Sequence, residues 1–201
     1  MTLPTDTTLL TQVAEMGDRA ALGQLVARHQ DAVFRYCRSL CRDTASAEDA
    51  LQQTFLDLMQ GAGSFKGQSS FRSWLFTLAR NAVHRGARLR AGEPRAHVPL
   101  DKLGVLAGWG EDPEQAAARH LDQRRLNLAL DALPPHSQEV LVLRDLEGLS
   151  GPEVADLLHI TLPAQKSRLH RARLELAAEL RQSQSPRSEP PRSPEGAHHG
   201  Q

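Results

Sequence analysis

Apolar residues along this 201-residue chain recur three and four apart over most of its length, the period of a helix face buried on one side. Leu9, Leu10, Val13 and Met16 mark a short amphipathic helix, punctuated by Gly17-Asp18. Leu22, Leu25, Val26, His29, Val33, Tyr36, Cys37 and Leu40 share one side of a second helix, from about residue 20 to 41, which Arg42-Asp43-Thr44 breaks. Ser46 is a candidate N-cap for a third, with Glu48 and Asp49 in the first turn, where acids suit the helix dipole. Leu51, Phe55 and Leu58 are its expected buried face. Gly61, Gly63 and Gly67 loosen the connection to a fourth helix, with Ser69 or Ser70 as its cap. There Phe71, Trp74, Leu75, Leu78 and Ala82 fall on one face.

The period fades from about 86 to 112, where Gly92, Pro94, Pro99, Gly104, Gly108, Gly110 and Pro113 accumulate, and a linker is expected. It resumes with Ala117, Leu121, Leu126, Leu128, Leu130 and Leu133, and Leu133-Pro134-Pro135 ends that helix. Ser137 is a candidate cap for the next. A short helix over 151–158, a turn at His159-Ile160-Thr161 and a basic helix over 162–180 follow, the last with an apolar seam of Leu169, Leu176 and Leu180. Two short helices, a tight turn and a basic second helix form a helix-turn-helix pattern. Strand formers are sparse, so the expected fold class is all-α: two small helical domains joined by a flexible linker, the second a four-helix domain with the helix-turn-helix. The expected divisions are a disordered start at 1–8, a first domain at 9–90, a linker at 91–113, a second domain at 114–181 and a disordered Ser- and Pro-rich tail at 182–201.

Charge changes the picture. The formal net charge is zero, but it is segregated. From 63 to 95 Lys66, Arg72, Arg80, Arg85, Arg88, Arg90 and Arg95 face the single acid Glu93. From 166 to 181 Lys166, Arg168, Arg171, Arg173 and Arg181 face only Glu175 and Glu179. Two basic patches on a neutral chain indicate two anion-facing surfaces. In the first, aromatic rings accompany the arginines, and both suit unpaired bases, which offer faces for stacking. The competing reading of either patch is a core helix with a solvated basic back. Cys37 and Cys41, four apart on a predicted helix, read as small buried side chains. Neither they nor His198-His199 has the further ligands that a metal site needs. No secretory leader and no apolar run of spanning length is visible, so a cytoplasmic protein is expected. No phosphate loop, nucleophile motif or metal-ligand run is present, and no enzyme, cofactor, small-molecule substrate or membrane partner is expected.

The run SFKGQSSFRSWLFTLARN, residues 64–81, resembles the promoter-melting segment of the extracytoplasmic-function sigma factors, the small two-domain members of the main bacterial sigma family. LPPHSQEVLVLRDLEGLS and KSRLHRARLEL resemble that family's domain for the minus-thirty-five element, and the third helix resembles its polymerase-docking helix. The resemblance covers about 9–180 apart from the linker. It implies a promoter-specificity subunit of bacterial RNA polymerase whose partners are core polymerase, promoter DNA as duplex and as melted single strand, and an anti-sigma protein. By position it assigns polymerase binding to Asp49, Gln52, Gln53 and Phe55. Melted minus-ten DNA falls to Lys66, Ser69, Ser70, Phe71, Arg72, Trp74, Arg80, Asn81, His84 and Arg85. Duplex at the minus-thirty-five element falls to Gln165, Lys166, Ser167, Arg168, His170, Arg171 and Arg173. Gln53 stands where the family usually has glutamate, Met59 where it often has tryptophan, His159 at a turn glycine and Gln165 at a buried valine. Two other readings stay open on sequence. A stand-alone helix-turn-helix regulator has no need of the docking helix, and a partner-sequestering decoy has no need of the basic helices.

Overall fold

A computed structural model describes residues 3–41, 43–89 and 124–182. The expected linker, the part of the expected fifth helix that precedes residue 124 and the tail beyond Gln182 lie outside these. Helix α1 spans Asp6–Met16, α2 Arg19–Leu40, α3 Thr44–Gly61 and α4 Phe71–Leu89, with a 3-10 turn at Ala62–Ser64. In the C-terminal half residues 124–131 are helical (α5). Then come α6 at Pro135–Leu141, running on into a wide π turn at Val142–Leu146, α7 at Gly151–Leu158 and α8 at Leu162–Gln182.

Each start has a local cause. Thr5 caps α1, accepting from the Thr8 amide at 3.2 Å, so the helix begins inside the stretch expected to be disordered. Arg28 donates to the Pro4 carbonyl at 2.8 Å and to Asp6 at 3.0 Å, and His29 meets Asp6 at 2.8 Å, which ties that start to α2. Gly17 takes the left-handed conformation (φ 61°) that ends α1, and Asp18 caps α2 through the amides of Ala20 and Ala21. Asp43, not Ser46, caps α3. Its carboxylate, three residues upstream, accepts from the Ser46 amide at 2.7 Å and from the Ser46 hydroxyl at 2.8 Å. Ser70 caps α4 through the Ser73 amide at 3.1 Å. Helix α6 starts with Pro135 at its first position, so Ser137 lies inside it and is buried instead of capping. Ser150 and Glu153 form a reciprocal capping box on α7.

The core of the first half joins Leu9, Leu25, Val33, Leu58, Leu75 and Phe76, each no more than 1% exposed. Complete burial of side chains of this size contributes roughly 1.5–3 kcal/mol apiece. Val140, Val142, Leu143 and Val154, none more than 2% exposed, centre the second half. Helix α6 lies against α2 and α7 against α4, so the two halves meet along the face that carries α4.

Candidate functional site

The loop before α4 and the helix itself build one surface. Phe65, Phe71 and Trp74 form an aromatic knot, with ring centroids 5.1 Å apart for Phe65–Trp74 and 6.2 Å for Phe71–Trp74. Phe71 is its buried member, packing also on His29 at 5.3 Å, so it supports the surface from beneath and Trp74 remains partly open. Lys66, Gly67, Gln68, Ser69 and Ser70 are exposed on the loop, which Gly67 turns at a positive φ of 68°. Asn81, His84 and Arg85 are exposed further along α4, with Arg85 ion-paired to Asp57.

Arg72 and Arg80 are half-buried, and both are held by the other half of the chain. Arg72 Nη2 donates to Glu147 at 2.7 Å, and its guanidinium lies 5.7 Å from the Phe76 ring. Arg80 Nε donates to Glu139 at 3.0 Å, and the same carboxylate oxygen accepts from the Tyr36 hydroxyl at 2.9 Å. Glu147 also accepts from Arg35 at 3.2 and 3.4 Å, and Glu153 from the Ser70 hydroxyl. Burial, then the charge of Glu139, pushes the Tyr36 phenol well above its ordinary range, so it acts as a neutral donor. The Ser70 hydroxyl holds the Glu153 carboxyl below its ordinary value, against a smaller effect of burial. Of Arg35, Tyr36, Glu139, Glu147 and Glu153, the sequence pattern marks only Tyr36, and that as a member of the apolar side of α2; Arg35, Glu139, Glu147 and Glu153 carry no such mark. The visible signals were Glu139, immediately before the apolar run 140–143, and Glu147, four residues after it, where a carboxylate among apolar neighbours needs a partner.

A second surface lies between α2 and α3. Leu22, Val26, Leu51, Phe55, Leu56 and Met59 line an open apolar groove of about 330 Å³, rimmed by Gln30, Glu48 and Gln52. Leu51 and Phe55, expected on the buried face, are half-buried: they pack against the edge of the core and also line this groove. The core side of α3 uses Leu58 with Ala47, Ala50 and Thr54, and the last three have small side chains that let its neighbours approach closely. Asp49 and Gln52 are exposed. Gln53 is half-buried and donates to Asp57 at 2.8 Å.

The third surface is α8. His159 adopts the left-handed conformation (φ 55°, ψ 45°) in the turn, a region histidine tolerates better than most residues. Thr161 accepts from the Ala164 amide at 3.3 Å, and Pro163 sits in the first turn, where no helical N–H is lost. Lys166, Ser167, His170 and Arg171 are exposed, and Arg168 is half-buried. Arg173 is exposed but engaged by Asp145 at 2.7 and 2.9 Å, which raises its already high pKa. Gln165 corrects the expectation. It is 1% exposed, held under α7 with its Oε1 3.4 Å from where a Cβ on Gly151 would stand, so it is not presented to a base edge. Its Nε2 has no hydrogen-bond partner.

The sigma-70 region 2 family matches residues 25–92 and the sigma-70 region 4 family residues 123–176. RNA polymerase sigma factor CnrH of Cupriavidus metallidurans is 33% identical over 177 residues, covering 86% of this chain and 93% of that one. The chain belongs to the extracytoplasmic-function family of RNA polymerase sigma factors. ECF sigma factor SigM of Mycobacterium tuberculosis is 34% identical over 161 residues, covering 80% of this sigma factor and 78% of its relative. A solved structure of CnrH in complex with the cytosolic domain of CnrY superposes with a TM-score of 0.63 at 30% identity, over 90% of this chain and 99% of that one. The region 2 match takes in α3, all of the groove lining but Leu22, and α4, and the region 4 match takes in α5 to α7 and most of α8. Membership in the family favours the sigma factor over the stand-alone regulator. Cys37, whose thiol burial pushes up to about 12, is buried beside the half-buried Cys41. Among the described residues of this sigma factor, no helix is long and apolar enough to cross a membrane.

Proposed function

We propose that this sigma factor gives bacterial core RNA polymerase its promoter choice through three separate surfaces, acting in the cytoplasm and without a catalytic group of its own. The α2–α3 groove, with Asp49 and Gln52 on its exposed side and Phe55 in its wall, docks core enzyme. Gln53 supports that helix through Asp57. The loop residues Lys66, Ser69 and Ser70, with Arg72, Trp74, Arg80, Asn81, His84 and Arg85, hold the unpaired minus-ten strand, and Phe71 supports the rings beneath it. Lys166, Ser167, Arg168, His170 and Arg171, with Arg173 once it leaves Asp145, contact the minus-thirty-five duplex. Phosphate contacts position such a helix, while residues near its start reach base edges.

The observation that carries this reading is the open apolar groove on the same half as the arginine-rich α4. A regulator that bound duplex alone would leave that groove without an occupant, and a decoy would leave both basic helices without a task. CnrH has been solved with the cytosolic domain of CnrY, and a protein of that kind is the anti-sigma partner we assign here, competing with polymerase for the groove. Transcription in vitro from a library of promoter fragments, with core polymerase and the purified chain, is the direct test. Initiation from a defined subset sharing two spaced elements is expected. Transcription no different from core enzyme alone would overturn the assignment.

A further inference from the structure

Asp57 is not a contact residue of any of the three surfaces, yet it holds residues from two of them. It stands on α3 next to the buried Leu58, where that helix packs against α4, and its side chain is only 16% exposed. One carboxylate oxygen, Oδ1, accepts from Gln53 Nε2 at 2.8 Å, one helical turn upstream. The other, Oδ2, accepts from Arg85 Nη2 on α4. Gln53 therefore steadies the carboxylate, and the carboxylate steadies the guanidinium. Arg85 stays 45% exposed, one turn along α4 from the exposed Asn81. Among the described residues it is engaged through Nη2 alone, so the rest of its donor fork is left for a ligand.

What such a pair can bind follows from its charge. Asp57 offsets the charge of Arg85, and a phosphate brought to the guanidinium is also brought to the carboxylate, which repels it. A neutral acceptor meets no such opposition. Guanine presents two acceptors side by side, O6 and N7, which match a guanidinium fork. On the same edge adenine sets a donor beside its acceptor, cytosine offers a donor and thymine a single acceptor. Holding the fork in advance also lowers the cost of ordering a long side chain on binding and restricts the directions in which it donates. We propose that Asp57 is a positioning residue for promoter reading: it holds Arg85 so that the fork reads one guanine of the captured strand instead of gripping a phosphate. The proposal rests on the assignment of Arg85 to that strand and names what Arg85 recognises there.

The experiment uses holoenzyme reconstituted from core polymerase and the full chain. A randomised single-stranded DNA pool is selected on it. Fluorescence anisotropy then measures affinity for the selected strand and for copies carrying adenine or 7-deazaguanine at each guanine. The readout is the ratio between two strands on one protein, because a loss of stability or of docking weakens both strands alike and leaves the ratio unmoved. At one position wild type is expected to bind guanine about tenfold tighter than adenine, the discrimination of one bidentate pair, and to bind 7-deazaguanine more weakly than guanine. Asp57→Asn keeps the shape of the side chain and removes its charge, while Arg85→Lys keeps the charge and removes the fork. Each is expected to bring the ratio close to unity. An unchanged ratio in Asp57→Asn overturns the proposal. So does tighter binding of every strand alike, the result expected if Asp57 merely withholds Arg85 from phosphates. If Asp57→Asn does not fold, Arg85→Lys decides, and a ratio equal to wild type overturns the proposal. A wild type without guanine preference, whose Arg85→Ala variant binds every strand more weakly, keeps Arg85 on the strand and overturns the proposal alone. Arg85→Ala without effect on any strand removes that assignment as well.

Discussion

Gln165 buries an amide whose nitrogen meets no partner, under α7 and against Gly151. An unsatisfied buried donor costs about 1–3 kcal/mol, so Gln165→Met, similar in length and apolar, is expected to stabilise the chain by about 1 kcal/mol. Chemical denaturation checks this, and a loss of stability would mean that the amide is satisfied. Glu153 offers a pH readout at the same scale. Its folded pKa is lowered, chiefly by the Ser70 hydroxyl and with help from Ser150 and the charge of Arg144. The stabilisation from that contact is therefore complete above the ordinary carboxylate value and is lost as pH falls through the lowered one. Ser70→Ala should move the Glu153 titration, followed by NMR, back up toward the ordinary value. An unmoved midpoint would show that Ser70 is not the main cause. His159, Pro163 and Thr161 were legible in sequence because their rules are local: one φ region, one missing N–H, one cap. Glu139 and Glu147 were not, because their partners lie 59 to 112 residues away.

Helix α3 shows what periodicity does and does not carry. Its existence follows from the pattern, and Leu51 and Phe55 pack against the core as expected, but they also line the groove. A 3.6-residue period finds an apolar face without saying whether that face meets the chain's own core or a partner. Here Leu58 and the small residues Ala47, Ala50 and Thr54 are buried, and the small ones weigh little in any hydrophobic count. The docking assignment gives a prediction for this element. Asp49→Ala with Gln52→Ala should raise the Kd for core polymerase roughly tenfold, since exposed hot-spot side chains cost more than 1 kcal/mol each only when a partner covers them. The melting temperature should barely move, because both side chains are exposed. Co-elution with core enzyme unchanged from wild type would contradict the docking face. The caps differ from expectation by two or three residues: Asp43, three before Ser46, caps α3, and α6 begins at Pro135, two before Ser137, with Pro134 at its N-cap position.

At the scale of the molecule, two halves that sequence reading separated into independent domains are joined by ion pairs across the α4 face. That contact was invisible in sequence, since nothing in a helical pattern states which domain rests on which. It also bears on duplex reading. Arg173 is held by Asp145 and Gln165 is buried, so Lys166, Arg168 and Arg171 are the remaining basic or amide members of the expected duplex set on α8. Three to four phosphate contacts give a modest affinity with a log-log salt slope of about −3 to −4, at about −0.9 per neutralised phosphate. Core polymerase supplies the rest by holding both halves on one promoter, which makes the second contact effectively intramolecular. A salt-titrated binding assay on promoter duplex, with and without core enzyme, measures this directly. Weak and shallow binding by the free chain, becoming tight and steeper in salt once polymerase is added, is the expected result. Tight, sequence-specific binding by the free chain that polymerase leaves unchanged would contradict its role as a sigma factor.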